Sequence, residues 1–451
     1  MSPRESSTSS HIPLGSGADE KPLDRNTRRL RAIASQLGTA AISSSQGLFS
    51  SSSGHHHSTL SIQQSQAHPP TPQTFKLPRY KDLPSQGGYP GCAWKVWGEG
   101  DQLGTINLLT DQVVARSARE EIRTGRSISL NWPLHLPEVP FFGRRSFNHE
   151  PLAKGSASHR KRRDDIVEAM RREGKQVANV GQGTDTVPIC DEHLMMNTQS
   201  GSQWDGLRHY GHFGLNCFYG GASCESIQGT FSGISEQGLN PEQMNSNESR
   251  DKNHLGIQNL AHHGICGRGV LLDVFGFLSE RAAKEGWKAS SSWKGGAYDP
   301  CTTYRITVED LIDTARHERV RFRQGDILLV RSGFTKRYYD STAEERKTWA
   351  KRNEFAGVQQ SEEMKAFLWD NHFAAVAGDA PAFESWPAPP KTETLHETLL
   401  GLWGMPIGEM FDLESLWEHC RREKRYTFHF TSWPLALYGG IASTANAAAY
   451  F

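Results

Sequence analysis

Apolar residues along this chain fall into two kinds of pattern. Short β-rich runs at 270–275 (VLLDVF), 327–330 (ILLV), 373–377 (FAAVA) and 426–430 (YTFHF) read as strands. Between them, apolar positions recur at helical spacing over 308–318, 342–352, 362–371 and 413–422. The stretch 110–125 reads as a helix, with a Thr or Asp cap and a closing glycine, and 127–134 as the strand that follows it. Strands alternating with helices predict an α/β fold, a single domain over residues 80–451 with a mixed β-sheet and flanking helices. No internal repeat and no second boundary breaks that span.

Other segments lack this patterning. The first 75 residues are rich in Ser, Gln, His and Pro, too poor in large apolar side chains to offset chain entropy, so residues 1–79 are expected to be a disordered N-terminal tail. The run His55, His56 and His57 lies in that tail and is read as part of it. The charged stretch 159–175 reads as a solvated helix, and 242–253 (EQMNSNESRDKN) as an exposed insertion.

The chain has 451 residues, 50 of them basic and 50 acidic, and a formal net charge of zero. That balance provides no field for a nucleic-acid backbone or an anionic membrane, so neither is an expected partner. Seven scattered cysteines, an odd number with no C-x-x-C pair, point to reduced thiols and a cytoplasmic protein. Arg25, Arg28, Arg29 and Arg31 resemble part of a mitochondrial presequence, but Glu5, Asp19, Glu20 and Asp24 precede them, and presequences avoid acids. No apolar run reaches the length of a membrane span.

The sequence contains no G-x-S-x-G elbow, no H-E-x-x-H helix and no phosphate-binding G-x-x-x-x-G-K-[ST] loop. The densest polar patch is 197–212, NTQSGSQWDGLRHYGH. Asp205 with His209 and His212 is a plausible kit for a metal and a general base. This patch resembles the signature H-x-G-T-H-x-D-x-P-x-H of the cyclase and kynurenine formamidase family of metal-dependent hydrolases. Gly201, Asp205 and His209 match; Ser202 and Leu207 replace Thr and Pro; Gln199 and Gln203 stand where two metal-binding histidines would be. Further stretches resemble the family in order: WKVWGEGDQLGTINLLT from Trp94, GICGRGVLLDV from Gly264, VEDLIDTARHERVRFRQGDILLVRSGF from Val308, FAAVAGDAPAFESWP from Phe373, LHETLLGLWGMPIGE from Leu395 and the closing FTSWPLALYGGIAS.

The resemblance implies a cyclase-like domain that binds one or two divalent ions, with His396 and Glu409 at the family's later ligand positions. The implied metal set is Gln199, Gln203, Asp205, His396 and Glu409. His209 and His212 are the expected proton carriers, with Glu409 sharing that work. Amide oxygens bind less tightly than imidazole, so this oxygen-rich set suits manganese or magnesium better than zinc, with one metal instead of two, or none, as the alternative. The implied reaction is hydrolysis of a C–N or C–O bond in a small carbonyl compound: an aryl formamide, as in tryptophan catabolism, a cyclic amide or a lactone. A cyclase or dehydratase of secondary metabolism and a non-catalytic binding protein are the alternatives. Trp94, Trp97 and Trp204 could wall a pocket for a flat substrate, although ordinary core packing is the stronger expectation for each one taken singly. Family members usually associate as homodimers or larger homo-oligomers, which is the expectation here.

Overall fold

A computed structural model describes residues 76–177, 187–227, 254–286 and 293–451. Residues 1–75 of the expected tail over 1–79, and the expected insertion at 242–253, lie outside the described residues.

The strands in chain order are β1 (Ser127–Ser129), β2 (Asn148–Lys154), β3 (Ile189–Met195), β4 (Gln203–Asp205), β5 (Ile265–Leu272), β6 (Arg305–Ile306) and β7 (Ile327–Val330). They continue with β8 (Gly357–Val358), β9 (Ala375–Gly378), β10 (Ile407–Glu409), β11 (Thr427–Ser432), β12 (Ala442–Thr444) and β13 (Ala447–Tyr450). Nine of them form one sheet in the order β1-β13-β11-β5-β7-β9-β10-β4-β12. Its middle, β5-β7-β9-β10, is parallel, and the pairs outside that block are antiparallel. The expected mixed α/β sheet is therefore present.

The parallel block reads as continuous apolar sequence because both of its faces are covered. Leu328, Val330 and Val376 point into one core cluster, and Ile327, Leu329 and Ala377 into the other. Three helices line the first face: α3 (Val274–Glu285), α4 (Val308–His317) and α7 (Glu362–Asp370), through Leu278, Leu311 and Leu368 among others. The second face takes α1 (Asp111–Glu121) and α8 (Glu414–Glu423) through Val113, Leu416 and Cys420. Three further helices are α2 (Ala157–Arg172), α5 (Phe334–Tyr339) and α6 (Ala343–Arg352).

Helix starts follow their caps. Thr110, Thr307, Thr342 and Ser361 each accept a hydrogen bond from the backbone N–H three residues on, and the first of these is the threonine cap expected at 110. Some expected strands have other limits in the structure. The run 270–275 ends at Leu272, because Asp273 Oδ1 accepts from Gly276 N at 2.9 Å and turns Val274 and Phe275 into the first turn of α3. The run 127–134 pairs only as Ser127–Ser129, against Ala448–Tyr450. None of the seven cysteines is paired. Among the described residues, no helix is long and apolar enough to cross a membrane.

Candidate active site

The site grows from two adjacent strands. β4 and β10 run antiparallel, with Gln203 opposite Glu409 and Asp205 opposite Ile407. Alternation along β4 sends Gln203 and Asp205 to one face and Trp204 to the other. Trp204 is fully buried against Phe411 and Phe430, and its Nε1–H donates to Ser432 Oγ at 2.9 Å. It belongs to the core behind the sheet, the packing expected for it taken singly, and does not wall a pocket. Gly201 permits the turn into β4: a Cβ there would lie 2.8 Å from Leu136 O.

Asp205 is buried completely. Its Oδ1 accepts from Gln199 Nε2 at 2.7 Å and from Gln203 Nε2 at 3.1 Å, and Gln203 Nε2 also donates to Glu409 Oε2 at 2.8 Å. Ionised carboxylates only accept, so these contacts fix which end of each amide faces the acids. Arg144 supports the arrangement from the other side, donating to Gln199 O at 2.8 Å and to Gln203 Oε1 at 3.5 Å. The expectation that Gln199 and Gln203 present oxygen to a metal needs correcting. Both point their amide nitrogens at the acids and act as hydrogen-bond donors.

His396 enters from the segment leading into a π-helical turn, Glu397–Trp403. Its Nδ1 lies 2.7 Å from Glu384 Oε1, while its Nε2 faces Glu409 Oε1 at 3.2 Å and Asp205 Oδ2 at 3.8 Å. Glu384 is itself held by the backbone N–H groups of Leu395 and His396 and by Gln360 Nε2. His209, on the loop after β4, places Nε2 3.9 Å from Asp205 Oδ2 and Nδ1 3.0 Å from Gln199 Nε2. Because the Gln199 amide donates, His209 Nδ1 accepts, and the imidazole proton sits on Nε2.

Burial pushes the His209 imidazole below its ordinary range, with the Asp205 charge opposing, so the ring is neutral near pH 7. Burial also disfavours charge on His396, but Asp205, Glu384 and Glu409 outweigh it and hold that imidazole well above its usual value. Burial would raise the Asp205 carboxyl, yet His209, His396 and Arg144 hold it low. Burial and the neighbouring Asp205 charge push Glu409 up. The two acids have been driven apart in character, one firmly ionised and one ready to carry a proton.

His212 lies apart from this cluster. Its Nδ1 accepts from Leu215 N at 3.2 Å, its Nε2 faces Glu393 Oε1 at 3.6 Å, and its ring packs edge-on to Tyr89. The proposed proton-carrying role for His212 is therefore corrected: its side chain caps a 3-10 turn. Trp94 donates from Nε1 to Gly401 O and Trp97 packs against the core behind the sheet. The rings beside His396 are instead Tyr210, centroid 5.3 Å away, and Trp386 at 6.5 Å, with Phe142 edge-on to Trp386. Sequence reading missed Arg144, Glu384, Tyr210 and Trp386 as site residues. Glu384 and Trp386 lie in the FAAVAGDAPAFESWP stretch that carried part of the resemblance, so a signal was present for them.

A divalent ion fits this set of residues. Asp205 Oδ2 is buried and has no hydrogen-bond partner, and Asp205, His209 and His396 each offer a ligand atom within 4.8 Å of the others. Gln199 keeps the proton on His209 Nε2, so the donors best prepared for a cation are Asp205 Oδ2, His396 Nε2 and Glu409 Oε1. Their two oxygens and one nitrogen suit manganese at least as well as zinc.

The family model for cyclases, described as putative cyclase, matches residues 127–385, more than half of the chain. The chain belongs to the cyclase family. The matched span takes in Gln199, Gln203, Asp205 and His209 and stops short of His396 and Glu409. A solved structure of a novel cyclase is 25% identical, covers 80% of this chain and 99% of its own, and superposes with a TM-score of 0.58. Isatin hydrolase A from Ralstonia solanacearum is 14% identical over 72% of this chain and 91% of its own, with a TM-score of 0.39. A predicted metal-dependent hydrolase from Bacillus stearothermophilus is 13% identical over 72% and 98%, with a TM-score of 0.37. No curated protein matches the chain.

Within this cyclase-family site, Glu384 is the outer partner that orients His396, an arrangement whose loss typically lowers metal affinity or activity 10–100-fold. Glu384→Gln is expected to weaken metal retention by about that factor in a chelator competition. Retention equal to wild type would remove Glu384 from this role.

Proposed function

We propose that the protein is a metal-dependent hydrolase that opens a C–N or C–O bond in a small aromatic carbonyl compound. The observation that carries this reading is the buried, unpartnered Asp205 Oδ2 facing two imidazole nitrogens at 3.8 and 3.9 Å. A carboxylate oxygen is not left bare inside a protein without cost, and a cation is the partner that this surround favours. When bound, a divalent ion would polarise the scissile carbonyl and lower the pKa of a water.

The chain's own residues divide the remaining work. The Glu409 carboxylate accepts the proton of the attacking water and returns it to the nitrogen or oxygen that leaves, so the proton count closes. His209 donates a hydrogen bond from Nε2 to the oxygen where negative charge develops. In this reading His209 is a donor rather than the general base, because Gln199 occupies its Nδ1. Glu384 fixes the ring of His396, and Gln203 holds Asp205 and Glu409 apart through its single NH2 group. Tyr210 and Trp386 provide ring faces for a flat substrate such as an aryl formamide, a cyclic amide or an aromatic lactone.

The test is a turnover screen of the manganese- and zinc-supplemented protein on those three classes, with Glu409→Gln alongside. Hydrolysis of at least one class, lost in Glu409→Gln, is the expected result. No hydrolysis of any class would overturn the proposal. The amide pair on the acids favours one second reading, ring closure or dehydration by the same proton carrier. Product analysis separates the two, since hydrolysis adds the elements of water and dehydration removes them.

A further inference from the structure

A second concave site lies where β5 and β7 end. These neighbouring parallel strands stop at Leu272 and Val330, and Asp273 and Arg331 follow them directly. The space outside the carboxyl ends of parallel strands is where α/β sheets commonly take their ligands. A cavity of about 230 Å³ opens there. Phe275 and Phe277 of α3 wall it from one face of the sheet, Trp417 of α8 from the other, and Glu318 and Tyr426 complete it. Asp205, His209, His396 and Glu409 take no part in it.

Glu318 caps the C-terminus of α4 and is 7% exposed. Its Oε1 accepts from Asp273 N at 3.0 Å, whereas its Oε2 is buried and has no hydrogen-bond partner. A buried carboxyl oxygen without a partner is costly. The Arg331 guanidinium does not relieve it, because Nη1 donates to Asp273 and Nε and Nη2 donate to Glu414. One cation thus serves two acids, and Glu318 is a third. At the rim, Lys336 of α5 pairs with Asp340 at 2.6 Å, Glu280 with Lys284 at 3.9 Å, and Arg421 lies over the Trp417 ring. His317 packs its ring 5.2 Å from that of Phe277. Burial and the adjacent Asp273 charge hold the Glu318 carboxyl well above the usual carboxylate range. A position that favours a proton over a bare charge also favours a larger cation.

We propose that this cavity binds a small organic ammonium ion, its N–H donating to Glu318 Oε2 and its charge facing the rings of Phe277 and Tyr426. Both rings are half-buried on the cavity wall, and aromatic faces attract cations. Tyr426 lies close enough to Glu318 for that charge, together with burial, to push its hydroxyl above the usual phenol range. On binding, Glu318 gives up its proton to solvent and the ammonium takes its place. A metal ion does not suit these walls. It needs several ligand atoms together, and among the described residues the group of three that meets this need is Asp205, His209 and His396. The volume is below the roughly 300–1,000 Å³ of a drug-sized ligand site, so the ligand is small. This site stands independently of the hydrolase reading.

The test is isothermal titration of the full chain with benzylammonium chloride, and with benzyl alcohol as an uncharged match in size. Glu318→Gln and Glu409→Gln are titrated beside the wild type. Glu318→Gln keeps a carbonyl for Asp273 N and removes the charge. Benzylammonium is expected to bind the wild type, and Glu318→Gln to weaken it about 10–100-fold, as for the loss of a hydrogen bond to a charged group. Glu409→Gln is expected to leave that affinity unchanged, and benzyl alcohol to bind at least about tenfold more weakly. Equal affinity in wild type and Glu318→Gln, equal affinity for the alcohol, a loss confined to Glu409→Gln, or no binding up to about 10 mM would overturn the proposal. If Glu318→Gln does not fold, hydrogen exchange on the wild type decides. Protection by benzylammonium over 273–280 and 414–421 supports the site; protection confined to 199–212 and 396–409, or none, refutes it.

Discussion

Asp205→Asn is expected to lower turnover by at least about 100-fold while leaving the protein folded, no less than the loss typical for an outer partner of a metal ligand. The substitution preserves volume but cannot satisfy the surroundings of the wild-type carboxylate. Oδ1 receives two amide donors, from Gln199 and Gln203, and Oδ2 faces His396 and His209. An asparagine offers one oxygen and one NH2, so one side must meet donors with a donor. If the oxygen stays toward the glutamines, the cation loses its carboxylate oxygen. If it turns toward the histidines, two amides lose their acceptor inside a buried site. Steady-state kinetics on the best substrate, with circular dichroism as the folding control, reads the effect. An Asp205→Asn variant that keeps more than about a tenth of wild-type turnover would place the chemistry elsewhere.

Arg331→Ala is expected to cost about 3–5 kcal/mol of stability, the usual penalty for breaking a buried ion pair from one side. The Arg331 side chain is 1% exposed and donates to Asp273 Oδ1 at 2.7 Å and to both oxygens of Glu414 at 2.8 Å. Its guanidinium also lies over the Trp417 ring, 4.3 Å from the centroid. Removing it leaves Asp273 and Glu414 without the cation they both hydrogen-bond, and a cavity beside Trp417 and Phe275. The pair ties β7 to the start of α3 and to α8, so the loss should appear as one cooperative shift of the urea midpoint. A loss below about 1 kcal/mol would mean that solvent reaches these acids in the folded state.

The sequence pattern read the parallel block well for a physical reason. The run 327–330 is bounded by Gly325 and Asp326 before it and Ser332 and Gly333 after it, and it is β7 with the same limits. Helices α4, α6, α7 and α8 also lie within a residue or two of their expected limits, because threonine and serine caps mark several starts. The failure at 270–275 has the same origin. Its apolar pattern continues unbroken from strand to helix, and only the capping side chain of Asp273 separates them.

In the site, Asp205 and His209 were visible because they match a signature, and His396 and Glu409 because they stand at the family's later ligand positions. The roles of Gln199 and Gln203 were not. Whether an amide points its oxygen or its nitrogen inward depends on the acids it meets, and Glu409 comes from more than 200 residues away in the chain. Trp204 could have been placed from the sequence, since it stands between Gln203 and Asp205 in an alternating strand. Arg144 carries no motif, and only folding brings it to the glutamines.

The most direct test of the account is the metal content of purified, metal-supplemented protein by elemental mass spectrometry, with Asp205→Ala and His396→Ala measured beside it. About one manganese or zinc per chain, lost in both variants, is the expected result. An absence of metal in the wild type after supplementation, or equal metal in all three proteins, would contradict it.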